Sequence, residues 1–245
     1  MNKDNGSLSF GAVQPDGSVV AFLDESFAPF VAAGAVVVES TDVLRMDSDI
    51  TATYDKVKNW YHLGGMPSFE EFRERGFHAT SDPFEVRAAF VAFLSEALNF
   101  KSMIVYSDGS VRDDLSDKKR LMVVFDQLVR DVLGAYRSRP KITFYFESAQ
   151  AMDTYIERLV TRAVQSFGGG TPDIEVRFGT KRQPDLLAVP DYVLHIFNQW
   201  LSTQDGHELS LQPTDHRSRS FKAILGSVSS ARSLDDGRVV RRTLQ

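Results

Sequence analysis

Apolar residues in this chain gather into short continuous runs instead of a one-sided alternation. Val19 to Leu23 and Val31 to Val38 carry no polar side chain, the pattern of strands buried on both faces. The stretches KSMIVYSDGS (101–110), KITFYFES (141–148) and DIEVRFG (173–179) read as three more strands. Helical period is clearest at Leu121, Val124, Phe125, Leu128 and Val132, behind Ser116 as the cap. Asp82-Pro83-Phe84-Glu85 predicts another helix start, with Asp82 as N-cap and the helix running to about Leu98. Ser68 and Glu71 predict a capping box for a shorter helix. Met152 to Phe167 reads as a helix stopped by Gly168-Gly169-Gly170, and 190–202 as one more.

The resulting order is two strands, an insertion with a helix, then alternating strands and helices. That order predicts one α/β domain over residues 1–245, a mixed sheet with helices on both faces. The core spans about 18–203 and the polar insertion about 41–82. Residues 204–245 are Ser- and Arg-rich with weak periodicity, predicting a loosely ordered extension or a late strand and helix.

Composition narrows the function only by exclusion. Hydrophobic content of 42% and charged content of 25% belong to an ordinary globular chain. There is no cysteine, which rules out disulfides and thiolate zinc sites. No apolar run approaches the ~20 residues that span a bilayer, and the N-terminus lacks a hydrophobic signal core, so no membrane partner and a cytoplasmic location are expected. A net charge of −5 argues against a basic nucleic-acid coat. It leaves nucleic acid open as a substrate, because a bound cation reverses the sign of an acidic site.

Carboxylates recur where the predicted strands end: Asp24 and Glu25 after the first, Glu147 after the strand at 141–147. If those two strands are parallel neighbours, Asp24 and Glu147 meet at the sheet edge where open α/β folds bind ligands. A third carboxylate, Asp191, opens the helix PDYVLHIFNQW. At about 100° per residue, Val193, Ile196, Phe197 and Trp200 share one face, and Asp191, His195 and Asn198 the opposite one. Converging carboxylates repel unless a cation lies among them, and hard Mg²⁺ or Mn²⁺ suits oxygen donors. Two such ions ~4 Å apart can hydrolyse a phosphodiester. Each residue also has an ordinary explanation. An acid at a strand end often only begins a polar loop, and Asp191 could complement a helix N-terminus. A polar stripe is commonly a solvated face. Composition and spacing alone leave the function undecided.

The segment FLDES (22–26) followed by FVAAGAVVV (30–38) resembles the opening of the DUF 3800 family, a domain of unknown function. GFHATSD (76–82) resembles that family's His-containing segment, and PDLLAVPDYVLHIFNQWL (184–201) its late helix. The family is similar to the ribonuclease H-like superfamily. The resemblance implies a five-stranded mixed sheet, helices on both faces, and a helical insertion after the second strand. It implies Asp24, Glu147 and Asp191 as catalytic ligands of Mg²⁺ or Mn²⁺, Glu25 as an extra ligand and His78 as a catalytic participant. Two positions depart from the family pattern. Pro190 stands where a small residue is usual and is predicted to restart or kink the helix, and Ala188 stands where Gln is common.

On this reading the chain is a metal-dependent phosphodiesterase, a nuclease cutting DNA or RNA. His78 or His195 would shuttle a proton, and Lys141, Lys181 and Arg182 would contact phosphates. The alternative is a non-catalytic ribonuclease H-like module that binds nucleic acid or a partner protein, in phage defence or on a mobile element. A homodimer is kept open as the assembly.

Overall fold

The computed structural model describes residues 15–97, 99–110, 114–147, 153–168, 170, 172–179, 186–204 and 215–241. The two apolar runs at its start become β1 (Val19–Ser26) and β2 (Val31–Glu39), paired antiparallel with Asp24 opposite Gly34. Nearly every residue in both strands is buried, because helices cover the sheet on each side. β3 (Phe100–Ser107) runs antiparallel to β2, whereas β4 (Lys141–Glu147) is parallel to β1, and β5 (Asp173–Gly179) to β4. β2 is thus antiparallel to both its neighbours, so the sheet is mixed, as expected from the sequence.

The sheet is wider than expected. Among the described residues it has seven strands in the order β5-β4-β1-β2-β3-β6-β7, not five. β6 (Val228–Ser233) adds parallel to β3, and β7 (Val239–Val240) closes the edge antiparallel to β6. Residues 228–233 and 239–240 of the C-terminal extension are therefore part of the sheet. Its weak periodicity reflects Ser and Arg at half-exposed edge positions, with only Val228, Ala231 and Ser233 of β6 buried.

Among the described residues, seven α-helices flank the sheet: α1 (Val43–Val57), α2 (Pro67–Arg75), α3 (Phe84–Glu96), α4 (Asp117–Tyr136), α5 (Asp153–Phe167), α6 (Ala188–Leu201) and α7 (His216–Ile224). Alternation along β1 assigns the faces. Val19, Ala21 and Leu23 join the core formed with α4 and α5, and Val20 and Phe22 join the core with α6 and the insertion helices. The α4 stripe from Leu121 to Val132 is buried as its period requires. α6 lies close over β2: a Cβ at Gly34 would fall 2.9 Å from Leu194 Cγ, so the missing side chain sets the helix–sheet approach.

Several local signals resolve differently from their sequence reading. α2 starts with Pro67 in its first turn, and no side chain caps it, so the Ser68–Glu71 box is absent. Pro83, not Asp82, is the N-cap of α3, which ends at Glu96; Asp82 turns its carboxylate inward instead. Pro190 neither restarts nor kinks α6. It sits in the first turn, where its missing N–H has no helical partner to lose.

Candidate functional site

Register brings the first two predicted carboxylates together. β1 and β4 pair in parallel up to Leu23 opposite Phe146, so Asp24 and Glu147 stand one step further on, level with each other at the carboxyl ends. Alternation places both on the face that carries Phe22 and Tyr145, whose rings pack 5.5 Å apart. This is the face covered by α6. Asp24 is only 5% exposed, and its Oδ1 accepts a hydrogen bond from the Glu25 N–H at 2.9 Å. Glu25 itself is exposed, and alternation turns it to the opposite face, away from Asp24. Beside Glu147, the Tyr145 hydroxyl reaches over Gly179 so closely that a Cβ there would lie 2.0 Å from it.

The carboxylate on α6 is held by a different partner set. Asp191 Oδ2 accepts from the Ala79 N–H at 3.1 Å and faces His78 Nδ1 at 3.3 Å, which fastens the GFHATSD loop to the helix. His78 and Asp191 are thus brought together, as Asp24 and Glu147 are. A buried carboxylate completes the loop. Asp82 Oδ2 accepts from the His78 N–H at 2.8 Å and from the Tyr192 hydroxyl, while its Oδ1 is buried with no hydrogen-bond partner among the described residues. Burial pushes the Asp82 carboxyl up to about 6, against the pull of the Tyr192 and His78 hydrogen bonds. Burial, and then the neighbouring Asp82 charge, raises the Tyr192 phenol well above its ordinary value.

The polar stripe read on α6 is not a solvated face. Residues on nearly all sides of this helix are buried, because the sheet lies beneath it and α7 packs beside it. Asn198 is 2% exposed and donates through Nδ2 to Ser26 Oγ on β1 at 2.9 Å, while its Oδ1 has no hydrogen-bond partner among the described residues. His195 points elsewhere, with Tyr192, into a cavity against α3 and α7. Burial first, and then the Arg87 charge, holds its imidazole below the usual histidine range, against the pull of Asp191.

Among the described residues, no group of three or more His, Asp or Glu side chains is gathered so as to hold a metal ion. Lys141 lies at the other end of β4 from Glu147 and pairs with Glu175 at 2.7 Å. It is therefore poorly placed to meet a phosphate at the carboxyl ends. Lys181 and Arg182 fall outside the described residues. Asp82, Tyr192 and Tyr145 were not singled out from sequence. Asp82 looked like a helix cap, and the two tyrosines sat among apolar residues as ordinary core aromatics.

Among the described residues, no helix is long and apolar enough to cross a membrane. No protein-family model matches the chain, and no curated protein does. Among solved structures, the chain is similar to one described as the PCNA:RNase HII complex from Archaeoglobus fulgidus. That match has 12% identity and a TM-score of 0.36, and covers 83% of this chain and 86% of the other.

Proposed function

We propose that this chain is a divalent-metal-dependent phosphodiesterase of the DUF 3800 type, acting on DNA or RNA. The observation that carries the reading is the level placement of Asp24 and Glu147 on one face, at the carboxyl ends of parallel β1 and β4. Such a pair fits Mg²⁺ or Mn²⁺, which commonly takes one or two carboxylates and completes its shell with water and substrate phosphate. The unpartnered Asn198 Oδ1 beneath α6 is a neutral oxygen of the kind such ions also accept. Asp24 and Glu147 would hold the ion, and Asp191 would contribute from the helix side while positioning His78. The ion would supply Lewis acidity toward the phosphodiester. His78, fixed at Nδ1 by Asp191 and at its backbone by Asp82, would hold or deliver a proton at the leaving oxygen.

The absence of a three-donor group among the described residues favours a second reading, a nucleic-acid or protein-binding module without catalysis. One experiment separates them. A panel of single- and double-stranded DNA and RNA is incubated with wild type, Asp24→Asn and Glu147→Gln, each with Mn²⁺ and with EDTA. Cleavage that needs Mn²⁺ and falls at least a hundredfold in both variants supports the enzyme. Binding to the same panel with no metal-dependent cleavage supports the module.

A further inference from the structure

A second site lies on the far side of α6 from Asp24. α3, α6 and α7 enclose a cavity of about 260 Å³, close to the lower end of small-molecule pockets. Its walls are apolar where Phe84, Val91 and Ile196 line it, Tyr192, Gln199 and Ser220 add neutral polar groups, and four basic side chains complete the lining. Arg87 enters from α3, His195 from α6, and His216 and Arg217 from the first turn of α7. Among the described residues no aspartate or glutamate lines it, although the chain as a whole carries a net charge of −5.

The two guanidinium groups are not neutralised by ion pairs. Arg87 donates to the Ala79 carbonyl at 3.5 Å, and neither Arg87 nor Arg217 is ion-paired among the described residues. The nearest acids act at the margins. Asp215 accepts from the Ser218 N–H as the N-cap of α7 and attracts the Arg217 charge without forming an ion pair with it, and Asp191 is tied to the His78 loop. At the mouth the Phe84 and His216 rings meet edge-on at 4.8 Å, and Ser220 Oγ lies 3.0 Å from His216 Nδ1.

We infer that this cavity binds a small organic anion, a compound with an apolar, flat body and a carboxylate or phosphate head held by Arg87 and Arg217. Unpaired guanidinium groups at an apolar recess favour such a guest, since the fork matches either head group and the apolar walls cover the body. The site stands apart from Asp24 and Glu147 and does not depend on the phosphodiesterase reading.

Calorimetric titration with 2-naphthoate, 2-naphthyl phosphate and neutral 2-naphthamide tests it on the intact chain. At least one anion should bind saturably, and at least tenfold more tightly than the amide. The stronger of the two identifies the head group. Arg217→Gln should weaken the anion by roughly tenfold, the loss of one charge-assisted hydrogen bond, and leave the amide unchanged. Arg217 is exposed, so this variant should melt like wild type, whereas Arg87→Gln also touches the Ala79 loop and serves as a second measurement. Ala88→Trp, at the exposed mouth, should block every ligand. Equal binding of anion and amide, an Arg217→Gln variant with wild-type affinity, or no binding by either anion at millimolar concentration would each overturn the proposal.

Discussion

Replacing Asp82 by Asn should flatten one part of the protein's stability against pH. Asp82 is 4% exposed, and burial raises its carboxyl from 3.8 to about 6 in the folded chain. Between those values the folded state holds a proton that the unfolded state has released. The favourable contribution is therefore full below about pH 4 and is lost as pH rises through about 6. At about 1.36 kcal/mol per pH unit, that gap corresponds to about 3 kcal/mol. Asn is a close test because only Oδ2 accepts hydrogen bonds, from His78 N–H and Tyr192 hydroxyl, while Oδ1 has no partner. The amide oxygen can keep both bonds, and the titration disappears. Thermal melts of both proteins from pH 4 to pH 7 provide the measurement, since groups common to the two cancel in the difference. Wild type minus Asp82→Asn should fall by about 3 kcal/mol over this range, which is about 6–12 °C for a chain of this size. A difference that stays constant, or grows in favour of wild type toward pH 7, would refute a raised Asp82 carboxyl.

Tyr192→Phe removes the hydroxyl that donates to Asp82; chemical denaturation should show a loss of about 1.5–3 kcal/mol at pH 7 and about 1 kcal/mol at pH 4, where the acceptor is neutral. Gly34→Ala drives a Cβ to within 2.9 Å of Leu194 Cγ and should cost about 1–3 kcal/mol; adding Leu194→Ala should make the glycine substitution nearly neutral in a double-mutant cycle. Phe221 of α7 stacks on Trp200 at 4.1 Å, so Phe221→Ala should cost about 3–5 kcal/mol in a urea melt, whereas a loose tail would cost nothing. Saturation of the Asp24 site with Mn²⁺ at ten times its dissociation constant should stabilise wild type by about 1.4 kcal/mol and Asp24→Asn hardly at all, as read by melting temperature.

The sequence by itself determined the elements and the sheet's central logic. Val19–Leu23 and Val31–Val38 carry no polar side chain, so they had to be covered on both sides, and the alternating order that follows demanded helices to cover them. That Asp24 and Glu147 each end a strand was legible in the same pattern, but their level placement needed the parallel pairing of β1 and β4, which the sequence offered only as a condition. What only the tertiary structure decided were the partners. Asp82 and Pro83 read locally as a cap, yet Asp82 bonds Tyr192, 110 residues away, and helical spacing carries no information about such a contact. The α6 stripe of Asp191, His195 and Asn198 looked like one polar face because periodicity assumes a helix with a dry side and a wet side. α6 is surrounded, so each of the three meets a different neighbour: the His78 loop, the α3–α7 cavity and Ser26. The pattern of residues 204–245 left a loose extension and a late strand and helix both open, because β6 lies near the sheet edge with half its residues short of full burial. Hydrophobic pattern reports burial, and a polar strand near an edge is held mainly by backbone hydrogen bonds that every residue can make.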